Sequence, residues 1–305
     1  MHGADWIAPG LFIYQKELLM SEKILKYPGS KGNIVSDLIQ LLPVHKVYLE
    51  PYFGSGTLFF CKEPAAIETI NDMDSDIVNL FKVIRDAPVS LANSLIATPY
   101  SREVYDNSYE YRENESDVQK AVKFLTKCWQ GYGSRGCASK VGFKTDISKR
   151  EKMYAVWDWY GLPQRVIDVA DRLRKVQIEH RPALELVQLY NNHDTFMYLD
   201  PPYLFETRTK SNAGKQYRHE MSNSDHEELL KFIIQSQAKI MISGYDSDMY
   251  NYYLKSWHKK SFCSCSEKGA QRKEVIWMNY GADRQMTLDA VSYTHLRAHE
   301  TLMNL

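Results

Sequence analysis

The chain has no surplus of charge: 38 Lys and Arg balance 38 Asp and Glu among its 305 residues. Net charge therefore gives no argument for a polyanion partner, and a nucleic-acid surface would have to come from a local patch. No apolar run approaches the ~18 residues that a membrane-spanning helix needs. The N-terminus has no basic segment followed by an apolar core, so neither a membrane anchor nor a signal peptide is expected. Cysteine is scarce and scattered, at Cys61, Cys128, Cys137, Cys263 and Cys265. An odd, dispersed set fits reduced thiols in a cytoplasmic protein better than a disulfide framework. Cys263 and Cys265, with His258 nearby, lack the C-x₂-C spacing and a second Cys/His pair, so no metal is expected. Internal repeats and low-complexity tracts are missing as well.

What is present is an alternation of strand and helix patterns. His45–Glu50, Ala66–Ile70, Val176–Glu179, Thr195–Leu199, Lys239–Ser243 and Glu274–Met278 read as strands. Thr57–Cys61, Ser75–Arg85 and Ser224–Gln237 read as helices, the last opened by an Asn/Ser cluster with acids in its first turns. The order implies an α/β fold with a mostly parallel sheet covered on both faces, and ligands at the strands' C-terminal edge. Residues 87–174 interrupt the alternation. They are rich in Tyr, Trp, Lys and Arg, with helical patterns at Val118–Trp129 and Gln164–Val176. The expected organisation is a domain half over 20–86, a mostly helical insert over 87–174 and a second half over 175–285. Residues 1–19 and 286–305 match neither period and are expected to be extensions outside the domain. Val291–Leu305 resembles translated adapter sequence.

Two glycine loops compete for a cofactor. Tyr52-Phe53-Gly54-Ser55-Gly56 follows a strand and precedes a helix, so backbone can approach a ligand and a helix N-terminus lies beside it. The next strand ends at Asn71-Asp72, where an acid can hold a ribose diol, and Glu50 adds a carboxylate at the same edge. The arrangement suits a nucleoside cofactor but lacks the third glycine of the dinucleotide fingerprint. Gly131-Tyr132-Gly133-Ser134-Arg135-Gly136 spells that fingerprint literally, yet it follows a helix and opens none, which excludes a dinucleotide oxidoreductase on context.

The insert also carries the missing charge patch. Lys123 to Lys152 holds eight basic residues against Asp146 and Glu151, with Tyr132, Phe143 and Tyr154 interleaved. Such a stretch supplies phosphate affinity and side chains that reach bases. A second basic segment, Arg208, Lys210, Lys215, Arg218 and His219, reads either as a loop closing over substrate or as ordinary surface.

The most informative feature is Asp200-Pro201-Pro202-Tyr203 at the end of an apolar run. Asp200 can accept one hydrogen of an exocyclic amino group and the Pro201 carbonyl the other. Tyr203 offers a stacking face for a base taken out of its helix. The two prolines fix φ and present these groups rigidly. From the residues alone the target remains adenine N6 in DNA, cytosine N4, or adenine in RNA. A DNA-binding protein without catalysis is the alternative of another class.

Taken in order, the motifs resemble those of the Dam-type DNA adenine N6-methyltransferases, a family with many phage-borne members, over roughly 23–280. Leu25–Gly32, Tyr48–Gly56, Asn71–Asp76, Asp200–Tyr203, Ser243–Asp246 and Arg272–Met278 carry the resemblance. It implies a Rossmann-like S-adenosylmethionine-dependent methyltransferase sheet, often with an antiparallel terminal strand, and an inserted DNA-recognition lobe. Tyr27, Lys31, Glu50, Tyr52, Gly54, Gly56, Asp72 and Asp200 would surround S-adenosylmethionine. Asp200, Pro201, Pro202 and Tyr203 would be catalytic. Lys31, Tyr132, Arg135, Lys140 and Lys144 would meet double-stranded DNA. A monomer without metal or membrane association is expected. Three positions depart from the family pattern. Ser30 stands where glycine is common, and His180-Arg181-Pro182 where an acid often contacts the cofactor's adenine. Gly131–Arg135 departs from the Gly-Tyr-Asn-Gly turn, so no GATC preference is implied.

Overall fold

In a computed structural model of the chain, the described residues are 23–133, 140–145, 154–208, 217–265 and 271–281. They build a seven-stranded sheet with helices on both faces. The strands are β1 Val47–Glu50, β2 Ile67–Asn71, β3 Val176–Glu179, β4 Thr195–Leu199, β5 Lys239–Tyr245, β6 His258–Cys265 and β7 Gln271–Met278, in the spatial order β3-β2-β1-β4-β5-β7-β6. β1 to β5 run parallel, whereas β7 is antiparallel to both β5 and β6. The mixed α/β architecture expected from the alternation is present, including the antiparallel strand.

The chain runs from β1 outward to β2 and β3, then returns to place β4 on the other side of β1. That reversal opens a crevice at the C-terminal ends of β1 and β4, where an open α/β sheet binds ligands. Strand alternation decides which face each core residue serves. Tyr48, Phe196, Tyr198, Met241 and Ile276 point into one hydrophobic cluster. Leu49, Met197, Leu199, Ile242, Val275 and Trp277 point into the other. A slip of one residue would exchange the two sets.

The helices are α1 Val35–Ile39, α2 Thr57–Cys61, α3 Ser75–Asp86, α4 Pro88–Ile96, α5 Arg102–Asn107, α6 Asp117–Gln130, α7 Tyr154–Leu173, α8 Ala183–Leu189, α9 Asn223–Ile233 and α10 Asp248–Tyr253. Sequence sets several of their starts. Ser116 with Gln119 and Ser222 with Asp225 form reciprocal capping boxes at α6 and α9. Asp74 caps α3 through the Asp76 amide, and Pro88 opens α4 where its missing N–H costs nothing.

Two elements differ from the sequence expectation. β6 was not foreseen, because His258–Ser261 are exposed and polar. An edge strand needs no apolar alternation, and Lys259 and Lys260 discourage pairing with another chain. The helix expected to begin at Gln164 begins at Tyr154 and runs through Pro163. Ala155, Trp159, Leu162, Val166, Val169 and Leu173 form one buried stripe across the proline. Burial of that stripe offsets the ~3 kcal/mol an internal proline costs.

Residues 87–174 contribute to the same hydrophobic cluster as the sheet. Phe124, Leu125, Cys128 and Trp129 of α6 and Trp159 and Leu162 of α7 belong to it, with Tyr48, Phe59 and Phe196. The Trp129 indole donates to the Ile24 carbonyl at 2.9 Å, joining α6 to the segment before α1. At the far end of β2, buried Glu68 receives Lys62 and Arg172, the latter from the last turn of α7. Phe124→Ala, at a fully buried site, should therefore cost about 3–5 kcal/mol. It should lower one thermal transition of the whole chain, read by calorimetry, rather than release a separate early transition.

Candidate active site

The crevice between β1 and β4 is a cavity of 440 Å³. Its walls come from five places in the sequence. Tyr27 to Lys31 precede α1, Glu50 to Leu58 follow β1, Asp72 to Asp74 follow β2, Tyr198 to Pro202 end β4, and Tyr217 to Met221 precede α9. Of the expected site residues, Tyr27, Lys31, Glu50, Tyr52, Gly54, Asp72, Asp200 and Pro202 line this cavity, whereas Gly56, Pro201 and Tyr203 are not among the lining residues.

The glycine turn is held from within. Gly54 and Gly56 have φ of 51° and 62° in the left-handed region. A Cβ on Gly56 would stand 2.3 Å from the Phe53 ring, so this glycine serves the packing of Phe53. The Gly54 amide donates to Asp72 at 2.8 Å, and the Asp74 amide donates to the other Asp72 oxygen at 2.8 Å. Asp72 thus ties the loop after β1 to the loop after β2. Its burial raises its carboxyl to about 6, against the two amides that favour the charged form. Burial likewise raises Glu50 to about 8, opposed by the Tyr48 hydroxyl, which donates at 2.6 Å, and reinforced by the charge of Asp200.

Asp200 stands just past β4, with β1 and β5 on either side. The register that pairs Leu199 with Ile242 brings Ser243 against Asp200, and the Ser243 hydroxyl donates to Oδ1 at 2.6 Å. Lys31 Nζ donates to Oδ2 at 2.7 Å and to the Gly29 carbonyl at 2.7 Å. Burial alone would lower the Lys31 pKa, but the charges of Asp200 and Glu274 outweigh it and raise it.

Tyr203 is buried, and its hydroxyl donates to Glu274 of β7 at 2.6 Å. The Tyr245 ring meets it edge-on, with centroids 4.6 Å apart, and Lys31 Nζ lies 5.0 Å from its centroid. Burial, then the charges of Asp200 and Glu274, push its phenol well above the ordinary range.

The second basic segment is occupied with holding the wall. Arg208 is buried, donates to the Tyr203 carbonyl at 2.9 Å and forms a two-bond pair with Glu220. Arg218 bridges Asp74 at 2.9 Å and Asp76 at 2.8 Å. Lys210 and Lys215 lie outside the described residues. Sequence reasoning gave no role to Ser243, Glu274 or Tyr217. The first two act through cross-strand register, which leaves no local signature.

The expected DNA-facing residues lie in the insert. Gly131 bridges to Phe143, and Tyr132 is exposed, its hydroxyl donating to the Thr145 carbonyl at 2.8 Å. Lys140 pairs with Asp106 at 3.1 Å with both side chains about half exposed, and Lys144 is half-buried. Lys127 is buried against Tyr111, and half-buried Lys123 pairs with Glu115, so two of the basic residues are engaged within the protein. Arg135 lies outside the described residues. Among the described residues no group of three His, Cys, Asp or Glu side chains is placed to hold a metal ion, and no helix is long and apolar enough to cross a membrane.

Comparison with known proteins bears on the chemistry of this cavity. A model of the D12 class N6 adenine-specific DNA methyltransferase family matches residues 27–272. The Type II methyltransferase M.MjaIII of Methanocaldococcus jannaschii is 24% identical over 291 residues, covering 84% of this chain and 98% of that protein. The DNA adenine methylase of Serratia marcescens is 23% identical over 244 residues, covering 74% and 84%. The retron Ec67 DNA adenine methylase of Escherichia coli is 31% identical over 192 residues, covering 59% and 63%. Among the targets that the tetrad left open, the family match selects the amino group of adenine in DNA. The chain belongs to the D12 class N6 adenine-specific DNA methyltransferases, enzymes that methylate the 6-amino group of adenine in DNA.

Proposed function

We propose that the methyl donor is S-adenosylmethionine, bound in the 440 Å³ cavity, and that the target adenine reaches Asp200 after turning out of the duplex. The observation that carries this reading is that one cavity is lined both by the Gly54 turn and by the Asp200 carboxylate. When bound, S-adenosylmethionine supplies a methyl group on a positively charged sulfur that a nitrogen lone pair can displace. The lining fits such a cation, because the carboxyl groups of Glu50, Asp72, Asp74, Asp200 and Glu220 outnumber the cations Lys31 and Arg218. The volume lies within the range of small-ligand sites. Asp72 would hold the ribose diol with the lone pairs its backbone bonds leave free. Glu50, Tyr52 and the Gly54–Gly56 turn would surround the methionine portion, with Tyr27 and Lys31 at the border with the base.

The protein's task is alignment. The adenine N6 lone pair is conjugated into the ring, which makes it a poor nucleophile. Asp200 accepting one N6–H and the Pro201 carbonyl accepting the other favour a pyramidal nitrogen whose lone pair points along the line of displacement. Holding that geometry accounts for much of the acceleration. Ser243 fixes the carboxylate, so little reorganisation is needed when the base arrives. The N6 proton leaves after transfer, when the nitrogen carries positive charge. Turning the base out costs a few kcal/mol, offset by stacking on Tyr203, whose ring Glu274 and Tyr245 keep in one orientation. Exposed Tyr132 and Lys140, with Lys144, would meet the duplex.

Expression in a host without DNA methylation, followed by long-read mapping of modified bases, tests the function. N6-methyladenine at one recurring sequence is expected, and unmodified DNA alongside active protein would refute it. Asp200→Ala should abolish transfer of labelled methyl groups while calorimetric affinity for S-adenosylmethionine changes only a few-fold. Loss of that affinity together with activity would assign Asp200 to the cofactor or the fold. Tyr203→Ala should weaken transfer more than Tyr203→Phe, which keeps the ring and loses only the bond to Glu274.

A cation binds better to carboxylates than to carboxylic acids, which gives a pH dependence. Affinity for S-adenosylmethionine should rise as pH passes through about 6 and about 8, the values of Asp72 and Glu50. The free chain should behave oppositely. Both carboxyls stay protonated where the unfolded chain has released the proton, so stability falls with rising pH. The fall spans 3.8 to about 6 for Asp72 and 4.5 to about 8 for Glu50. Glu50→Gln should remove the upper part of both slopes, read by calorimetric titration and by melting temperature at pH 6 and about 8.5.

A further inference from the structure

We infer that Lys31 is an internal stand-in for the target amino group, and that adenine meets Asp200 only after the Lys31 ammonium has left. The inference rests on the proposed placement of the base beside Asp200 and Tyr203. Lys31 is 5% exposed. Its nitrogen sits among two acceptors and one aromatic face, the Asp200 Oδ2 and Gly29 carbonyl at 2.7 Å each and the Tyr203 ring at 5.0 Å. A donor nitrogen held by two acceptors beside a ring is also what an exocyclic amine on a stacked base requires. The ammonium therefore occupies the Asp200 acceptor that N6 would use.

Both partners are also held from a second side. Asp200 Oδ1 accepts from Ser243 and Oδ2 accepts from Lys31, so each oxygen already carries a donor and a donor arriving at Oδ2 meets the ammonium. Tyr203 is fixed by its bond to Glu274 and by the edge of Tyr245. Lysine can move, because its stem is flexible and it borders the 440 Å³ cavity. The arrangement has a use. With an ammonium already on Oδ2, a water or a small amine that reaches Asp200 competes with a charged donor, so the array favours a group able to displace an ammonium.

The test compares two duplexes, one carrying adenine at the methylated position and one carrying an abasic site there. Fluorescence anisotropy gives the ratio of their dissociation constants for each protein variant, which cancels contacts to the rest of the duplex. Lys31→Met should increase the preference for the adenine duplex about tenfold, the factor expected when a site free about one tenth of the time becomes always free. Ser243→Ala disturbs Asp200 equally but leaves the ammonium in place, so it should not increase the preference. A preference that falls or stays level in Lys31→Met would overturn the inference and make Lys31 a holder of the base. An equal rise in both variants would also overturn it, since loosening of Asp200 would then suffice. Lys31→Gln, shorter and uncharged, gives the same reading if the methionine variant does not fold. Methyl transfer by the unaltered chain to the adenine duplex is measured alongside. Its failure would count against the placement of the base, whereas the ratio reports on Lys31 alone.

Discussion

The contact on which the site depends is the grip on Asp200, one oxygen held by Ser243 and the other by Lys31. It joins three parts of the chain that sequence keeps far apart. The segment before α1 supplies the cation, β4 ends in the carboxylate, and β5 supplies the hydroxyl. Only the reversal of strand order between β1 and β4 brings these parts to one edge of the sheet. A carboxylate fixed in this way acts as a preorganised acceptor, and a reaction that needs alignment more than acid or base strength benefits directly.

The same residues shape the wall and set its charge. Asp72 spends one lone pair on each of two backbone amides, which ties the loops after β1 and β2 together while the carboxyl still borders the cavity. Glu50 is buried deeply enough to hold its proton near neutral pH, with Tyr48 as its donor. Burial makes Glu50 and Asp72 costly to ionise, so a cation bound beside them would favour their charged forms. Charge neutrality of the whole chain and acidity of the cavity are compatible because the two are set on different length scales.

Much of this was legible in the sequence, and the parts that were not share one cause. Thr195–Leu199 and Lys239–Ser243 announce themselves as strands because each is an apolar run buried on both faces. Asp200 and Gly54 could be placed at one edge because each follows such a strand. Local pattern stops at register. Ser243 lies 43 residues from Asp200 and Glu274 lies 71 from Tyr203, so neither partnership is visible until strands pair. β6 escaped because an edge strand buries little. The first turns of α7 escaped because Pro163 reads as a boundary, and tertiary packing overrode it. Lys123 and Lys127 look like surface charge in sequence, yet Lys127 is buried against Tyr111. Composition cannot tell a solvated lysine from one whose partners fold over it.

Helix α3 makes the insert and the cavity parts of one structure. Its capping Asp74 borders the cavity, and Asp76 in its first turn accepts from Tyr111 at 2.8 Å. Tyr111 in turn meets Lys127 of α6. Arg218, from the segment before α9, closes the circuit by bridging Asp74 and Asp76. Beneath these polar contacts Phe81 and Ile84 of α3 share a core with Phe124 and Trp129 of α6. A packed core transmits displacement because it has few voids to absorb it. Through Asp76 and Arg218, α6 is thus linked by direct contacts to the segment that holds Tyr217 over the Gly29 turn. Residues 87–174 and the cavity therefore share one helix, which packs against the former through its apolar face and borders the latter through its cap.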